Sequence, residues 1–287
     1  MKENQYILLT AAVFCLILFS CENDNDENTE FIFPLSVGNS WEYEREWTFY
    51  FYSDSTDSIP QYIDTLNAYK TDVSVTIPRK VVLGDTVETY EMIGIDSSGP
   101  YIQRRYYKEM EDGLYILGNV AGGPIVLPKK SQNNIIHFKG MEFNSFNELS
   151  NFFQSLTPYH RDYSDSINLE LPPVKVLQYP IIEGDQWTYR MNYTPFRIDR
   201  KVIGRSTIEL NIGSYDCYEI KFIYDINHDG VWDDDIWITD FISKQGLVQR
   251  VITLLGMEER TINYPNGTGR LFDAIDIYQL TSYDIEE

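Results

Sequence analysis

The chain is poor in the residues that most often carry chemistry. Three cysteines and three histidines occur in 287 residues. His137, His160 and His228 stand apart from one another, without the His-x-x-His or His-Glu-x-x-His spacing that builds a zinc hydrolase. A Gly-x-Ser-x-Gly elbow and a glycine-rich phosphate loop are both missing, and Gly122-Gly123-Pro124 lacks the lysine and helix that would make it one. Basic residues are scarce too: 23 against 44 acidic ones, for a net charge of −21. A phosphate-binding face must be basic, so this balance argues against nucleic acid and anionic lipid surfaces as partners. It favours cations, or neutral partners such as glycans. Long apolar runs are absent but for one near the N-terminus.

That run, Ile7 to Phe19, is broken only by Thr10. It is short of the roughly 20 apolar residues that span a bilayer, and with Lys2 before it matches a secretory signal. Leu18-Phe19-Ser20-Cys21 follows and resembles a lipobox. The resemblance implies that residues 1–20 are a signal peptide and that Cys21 becomes the diacylated, palmitate-bearing first residue. The mature chain is then held at the outer membrane by its lipid anchor alone and does not span. Glu22 to Glu30 has no apolar side chain and reads as an acidic tether over residues 21–30. Acidic residues behind the lipidated cysteine also resemble the surface-export signal of Bacteroidota lipoproteins, which leaves the cell surface and the periplasmic face both open. With Cys15 in the signal and Cys21 lipidated, Cys217 is the remaining thiol, so intramolecular disulfides are excluded. It sits mid-strand among aromatics, as a small buried apolar residue would.

About 267 residues remain after the signal, enough for one large or two ordinary domains. An internal repeat divides them. Phe33-Pro34-Leu35-Ser36-Val37-Gly38-Asn39-Ser40-Trp41-Glu42-Tyr43 recurs as Tyr179-Pro180-Ile181-Ile182-Glu183-Gly184-Asp185-Gln186-Trp187-Thr188-Tyr189, without a gap, at an offset of 146 residues. In each copy proline gives an extended approach, Gly-Asn or Gly-Asp makes a turn, and Trp-x-Tyr begins a strand with both rings on one face. The pattern aromatic-Pro-Leu/Ile-x-x-Gly-Asn/Asp-x-Trp-x-Tyr resembles a group of mostly uncharacterised Bacteroidota cell-envelope lipoproteins. Gly213 to Ile220, Gly246-Leu247-Val248 and Tyr278 to Tyr283 resemble the same group. The likeness implies open, curved antiparallel sheets of the lipoprotein-carrier type, and attaches no activity to any residue.

The remaining pattern also reads as β. Twenty-two Tyr, 15 Phe and 5 Trp suit strands packed through aromatics. Val73, Val75 and Ile77 alternate with polar residues, as do Tyr218, Ile220, Phe222 and Tyr224. Glu111-Asp112-Gly113 marks a hairpin. One helix is expected, where Ser145-Phe146-Asn147-Glu148 forms a capping box ahead of Leu149, Phe152, Phe153 and Leu156, with Pro158 ending it. The expected architecture is mainly β: an N-terminal unit over 31–160, a linker over 161–178 marked by Pro172-Pro173, and a C-terminal unit over 179–287. These are two related antiparallel units, open sheets or half-barrels, with one short helix between them.

One segment has the spacing of an ion site. Asp225-Ile226-Asn227-His228-Asp229-Gly230-Val231-Trp232-Asp233 places oxygen ligands at loop positions 1, 3, 5, 7 and 9, as calcium loops do. Asp225, Asn227 and Asp229 would give side-chain oxygens, Val231 its carbonyl, and Asp233 a direct or water-mediated contact. Ile236 replaces the usual Glu at position 12, so any calcium here would be structural, and Asn, Asp and Gly also suit a tight acidic turn. Asp54-Ser55-Thr56, Asp57-Ser58-Ile59, Asp64-Thr65-Leu66, Asp85-Thr86-Val87 and Asp165-Ser166-Ile167 resemble O-glycosylation acceptors of Bacteroidota, four of them in a segment between Asp54 and Val87 that reads as largely exposed; loop composition would give the same triplets. Three roles stay open. A non-enzymatic envelope module for a glycan or protein partner leads, ahead of a glycan hydrolase with paired carboxylates and a periplasmic carrier of an apolar ligand. An open, apolar-lined half-barrel would mark the carrier.

Overall fold

Period-two alternation along the chain builds strands nearly throughout. The computed structural model describes residues 31–52, 62–84, 86–97, 102–120, 134–144, 146–154, 167–191, 196–261 and 270–286. Its strands are β1 (Ser40–Tyr52), β2 (Tyr62–Leu83), β3 (Val87–Asp96), β4 (Ile102–Met110), β5 (Gly113–Val120), β6 (Asn134–Phe138), β7 (Met141–Phe143) and β8 (Asn168–Gln178). The second half adds β9 (Gln186–Arg190), β10 (Arg197–Leu210), β11 (Gly213–Asp225), β12 (Ile236–Ser243), β13 (Gly246–Thr261) and β14 (Arg270–Asp284). One helix, α1 (Phe146–Gln154), precedes β8.

All fourteen strands belong to one antiparallel sheet, ordered β8-β5-β4-β3-β2-β1-β14-β13-β12-β11-β10-β9, with the β6–β7 hairpin attached to β13. The order resolves into two six-stranded meanders, each ending on an outer edge of the path and joined where β1 pairs with β14 from Ser40↔Asp284 to Phe51↔Phe272. The two ends of the path, β8 and β9, share no ladder among the described residues. Side chains bridge that seam instead. Trp187 Nε1 donates to Lys175 O at 3.1 Å, Arg200 Nη1 donates to Val176 O at 2.6 Å, and Arg190 holds the Glu170 carboxylate with both terminal nitrogens. The result is a nearly closed barrel, and its free carbonyls at the seam are satisfied by side chains, as buried backbone groups must be.

The repeat is a structural one. In the first copy Gly38 N bonds Ile77 O, Ile77 N bonds Asn39 O and Asn39 N bonds Ser36 O. In the second, Gly184 N bonds Val202 O, Val202 N bonds Asp185 O and Asp185 N bonds Ile182 O: the turn residues stand at the repeat's offset, and Val202 takes the place of Ile77. Gly38 and Gly184 stand at φ +103° and +88°, where a side chain is strained, so each turn needs its glycine. The turns deliver Trp41 and Trp187 to the start of β1 and β9, 1% and 8% exposed. Trp41 Nε1 donates to Gln245 O, and Gly246 leaves room for it: a Cβ there would sit 2.9 Å from that nitrogen. The two copies also touch, through Phe33 N donating to the Tyr179 hydroxyl.

One expectation needs correction. The segment 161–178 is not a linker where it is described: Asn168–Gln178 is β8, paired to β5. The first meander therefore ends at Gln178. Pro172-Pro173 lies in the register jump between Ile116↔Val174 and Gly118↔Leu169, and proline is tolerated there because β8 is an edge strand. Asp64-Thr65-Leu66 lies inside β2, paired from Asp64↔Phe51 to Leu66↔Phe49.

The helix closes one end of the barrel. Glu148 accepts from Asn144 N and Nδ2, so the capping carboxylate closes back on Asn144; Ser145 and Pro158 lie outside the described residues. Phe146 meets Trp47 and Phe49 edge-on at 5.0 and 4.8 Å. Phe153 packs on Tyr224, whose hydroxyl donates to the Phe153 carbonyl. Leu149 is fully buried beneath them. Residues Ile32–Glu287, which include every strand and the helix, form one compact unit.

Candidate functional site

Alternation along each strand sends every second side chain into the barrel, and the interior is not filled by them. A cavity of about 210 Å³ lies on the side of α1 toward Trp41, lined by residues of all twelve strands on the path from β8 to β9. A wall of twelve strands lies between the eight that side chains fill and the sixteen that leave a channel, so a residual lumen is expected. Apolar groups dominate it. The aromatic rings of Phe33, Trp41, Tyr43, Tyr107, Tyr189 and Phe222 face aliphatic side chains such as Val73, Val75 and Leu247.

Two buried ion clusters are set into this apolar wall. Arg45 donates to both oxygens of Asp276 at 2.7 to 3.2 Å and to Asp96 at 2.9 Å, with Trp47 and Tyr278 rings 4.3 and 4.8 Å from its guanidinium. Thr71 donates to the other Asp96 oxygen. Farther along the same wall, in register with Arg45 through Tyr278 and Arg250, Asp240 accepts from Arg200 Nη2 at 2.6 Å and from Arg250 Nε and Nη2 at 2.6 and 2.9 Å. Burial opposes ionisation of Asp240, but the guanidiniums of Arg250 and Arg200 outweigh it and hold the carboxyl below the usual range. Desolvation pulls Arg200 down from its ordinary value despite the same pairing, and Phe222 lies 4.2 Å from its guanidinium.

These groups do not form a hydrolytic pair. A general acid needs a raised pKa, and Asp240 is shifted the other way. Asp96 is tied to Arg45 and Thr71. Cys217 is buried against Tyr215 and Val248, and burial pushes its thiol up to about 12, which suppresses the thiolate a nucleophile requires.

The expected ion loop joins β11 to β12, and its acids are largely engaged by the protein. Asp225 accepts from Asp229 N and Gly230 N, Asp229 from Val231 N, and Asp233 from Ile226 N. Lys139 places its ammonium 2.8 Å from Asp233 and 2.6 Å from Asp235. Burial opposes charge on Lys139, and the hydrogen bonds it donates to both carboxylates still raise its pKa. Asn227 and Val231 are exposed at the tip. Among the described residues no group of three or more His, Cys, Asp or Glu converges as a metal site.

Of the residues singled out by sequence, Trp41, Tyr43 and Tyr189 line the cavity, whereas Trp187 braces the seam; Pro34, Gly38, Pro180 and Gly184 belong to the turns ahead of β1 and β9. Cys21 and His160 lie outside the described residues, as do Asp54-Ser55-Thr56, Asp57-Ser58-Ile59, Asp85, Asp165 and Ser166. Sequence reasoning did not find Arg45, Arg200 or Asp240. A signal was present: each stands at the in-facing parity of a strand, as in Trp41-x-Tyr43-x-Arg45-x-Trp47, where a charge is out of place unless paired.

No protein-family model matches the chain, and no curated protein does. Among solved structures, one match is a protein described as a lipoprotein from Parabacteroides distasonis ATCC 8503. It is 14% identical, covers 89% of this chain and 99% of its own, and has a TM-score of 0.31. Another is an exported protein with a YmcC-like fold from Bacteroides fragilis NCTC 9343, 9% identical over 89% and 99% of the two chains, with a TM-score of 0.28. Likeness at this level assigns no role.

Proposed function

We propose that this chain is a lipid-anchored, non-enzymatic envelope protein that binds one small, largely apolar molecule inside its barrel. Of the three roles open from the sequence, this is the carrier. The observation that supports it is the lumen: about 210 Å³, walled by aromatic and aliphatic side chains. An apolar cavity of about 150 Å³ takes up benzene, and drug-sized ligands occupy about 300–1,000 Å³, so the occupant is a one- or two-ring body or a short chain. The address rests on the apolar run and on Leu18-Phe19-Ser20-Cys21.

The test uses residues 21–287 with Cys21→Ser, which keeps the chain in water; the folded unit begins at Ile32. Equilibrium dialysis against naphthalene should show saturable binding at one site per chain. Val75→Trp, which fills the lumen from β2, should abolish it while the unfolding midpoint shows the barrel intact. Absence of saturable binding, or binding that Val75→Trp leaves unchanged in a folded protein, would overturn the reading.

A further inference from the structure

The cavity is apolar over most of its wall, but its charges do not balance. Arg45 is matched by two acids, Asp96 and Asp276. Arg200 and Arg250 share Asp240. Arg105, on the wall from β4, hydrogen-bonds Gln103 and has no carboxylate partner among the described residues. The lumen therefore carries one surplus positive charge inside a chain whose net charge is −21.

The uncommitted donors lie together. Arg200 is 1% exposed; its two terminal nitrogens are engaged by Val176 O and Asp240, and its Nε has no partner among the described residues. Tyr107 and Tyr189 are buried wall residues whose hydroxyls have no protein partner among the described residues. The strand order places these groups around the seam. Tyr107 on β4 is opposite Ile116 of β5, β5 pairs with β8, and Arg200 crosses from β10 to the β8 carbonyl at Val176. Tyr189 on β9 lies between. Burial pushes the Tyr189 phenol up to about 12, with Arg105, Arg190 and Arg200 opposing the rise, so it is a protonated donor at neutral pH within reach of those cations. Arg200 Nε, a buried donor left unpaired, carries a desolvation cost that an acceptor placed here recovers.

We propose that the ligand is a monoanion, a carboxylate on a small apolar body, and that its carboxylate is held by Arg200 Nε, the Tyr107 and Tyr189 hydroxyls and Arg105. The apolar body then extends along the lumen toward Trp41 and Leu247. This deepens the reading of the lumen as a ligand site and rests on it. One surplus charge matches a carboxylate and leaves a phosphate dianion under-compensated. The acidic exterior repels an anion, so selection takes place inside, where the buried Arg200 guanidinium makes a charge-assisted bond strongest and the half-buried Arg105 adds charge.

The experiment compares 2-naphthoate, 2-naphthamide and naphthalene by equilibrium dialysis on the same residues 21–287 carrying Cys21→Ser. The carboxylate should bind at least about tenfold more tightly than the neutral amide, the equivalent of one charge-assisted hydrogen bond. Tyr189→Phe and Arg105→Gln should each reduce the carboxylate-to-amide ratio, with naphthalene binding by each variant measured alongside as the reference for the lumen itself. Arg200→Met should abolish the preference, and where that variant fails to fold the other two decide. Equal affinity for carboxylate and amide, or a preference that survives Tyr189→Phe and Arg105→Gln, would overturn the proposal while naphthalene binding keeps the cavity reading. Failure of naphthalene to bind would overturn both.

Discussion

Replacing Asp240 with leucine removes the one carboxylate that serves both Arg200 and Arg250. Three charge-assisted hydrogen bonds are lost, at 2.6, 2.6 and 2.9 Å. Asp240 is 2% and Arg200 1% exposed, whereas Arg250 retains 21% and can rehydrate. The cost therefore falls mainly on Arg200, left charged in an apolar wall, and breaking a buried pair in this way costs about 3–5 kcal/mol. Arg250→Leu leaves the Arg200–Asp240 contact in place and should cost less. The double change Arg200→Met with Asp240→Leu should recover most of the loss, because no buried cation is then left without a counter-charge. Urea unfolding of the four proteins at pH 7 measures this directly. The same pair fixes the acid limb of stability. Asp240 has a depressed folded pKa, so its contribution is fully present above the unfolded value near 3.9 and is lost as pH falls through the folded one. A loss below about 1 kcal/mol for Asp240→Leu, with an unchanged acid limb, would refute the reasoning, since that is the worth of a surface pair.

Other outcomes follow from the same structure. Trp41→Ala and Trp187→Ala should each cost about 3–5 kcal/mol in chemical unfolding, with Trp41 the larger because its ring is the more deeply enclosed; a loss at Trp187 equal to a surface change would detach it from the seam. Cys21→Ser in the full chain should move the protein from the membrane to the soluble fraction or stall its processing, since two acyl chains hold where one is marginal; identical partitioning would refute the anchor. Calcium in the loop 225–235 is proposed on its spacing alone and would have to displace Lys139 from Asp233. If it binds, a hundredfold excess over Kd raises stability by about 2.7 kcal/mol against chelator, and Lys139→Ala enlarges the gain; unchanged midpoints in both proteins remove calcium from the loop.

Much of the fold was legible because its signals are local. Alternation gave β2 and β11, Glu111-Asp112-Gly113 gave the β4–β5 hairpin, and an 11-residue repeat gave the duplication. What escaped was non-local. Pro172-Pro173 looks like a boundary in one dimension, and is an edge-strand irregularity once β8 is seen against β5. That the two meanders join as one sheet depends on the β1–β14 pairing, between opposite ends of the unit. The cavity was illegible for the same reason. Arg45 and Arg200 read as single charges in strands, and their acids are 231 and 40 residues away. The spacing of the acidic loop, by contrast, was visible, but the partners that engage it, backbone amides and Lys139 from the β6–β7 hairpin, were not.

The most direct test of the binding reading is a crystal structure of residues 21–287, carrying Cys21→Ser, grown with 6-bromo-2-naphthoate and measured at the bromine edge. The predicted result is one strong anomalous peak inside the barrel, toward Trp41 and Leu247, with the carboxylate against Tyr189 and Arg200. A lumen holding only water, with bromine on the outer surface or nowhere, would contradict it.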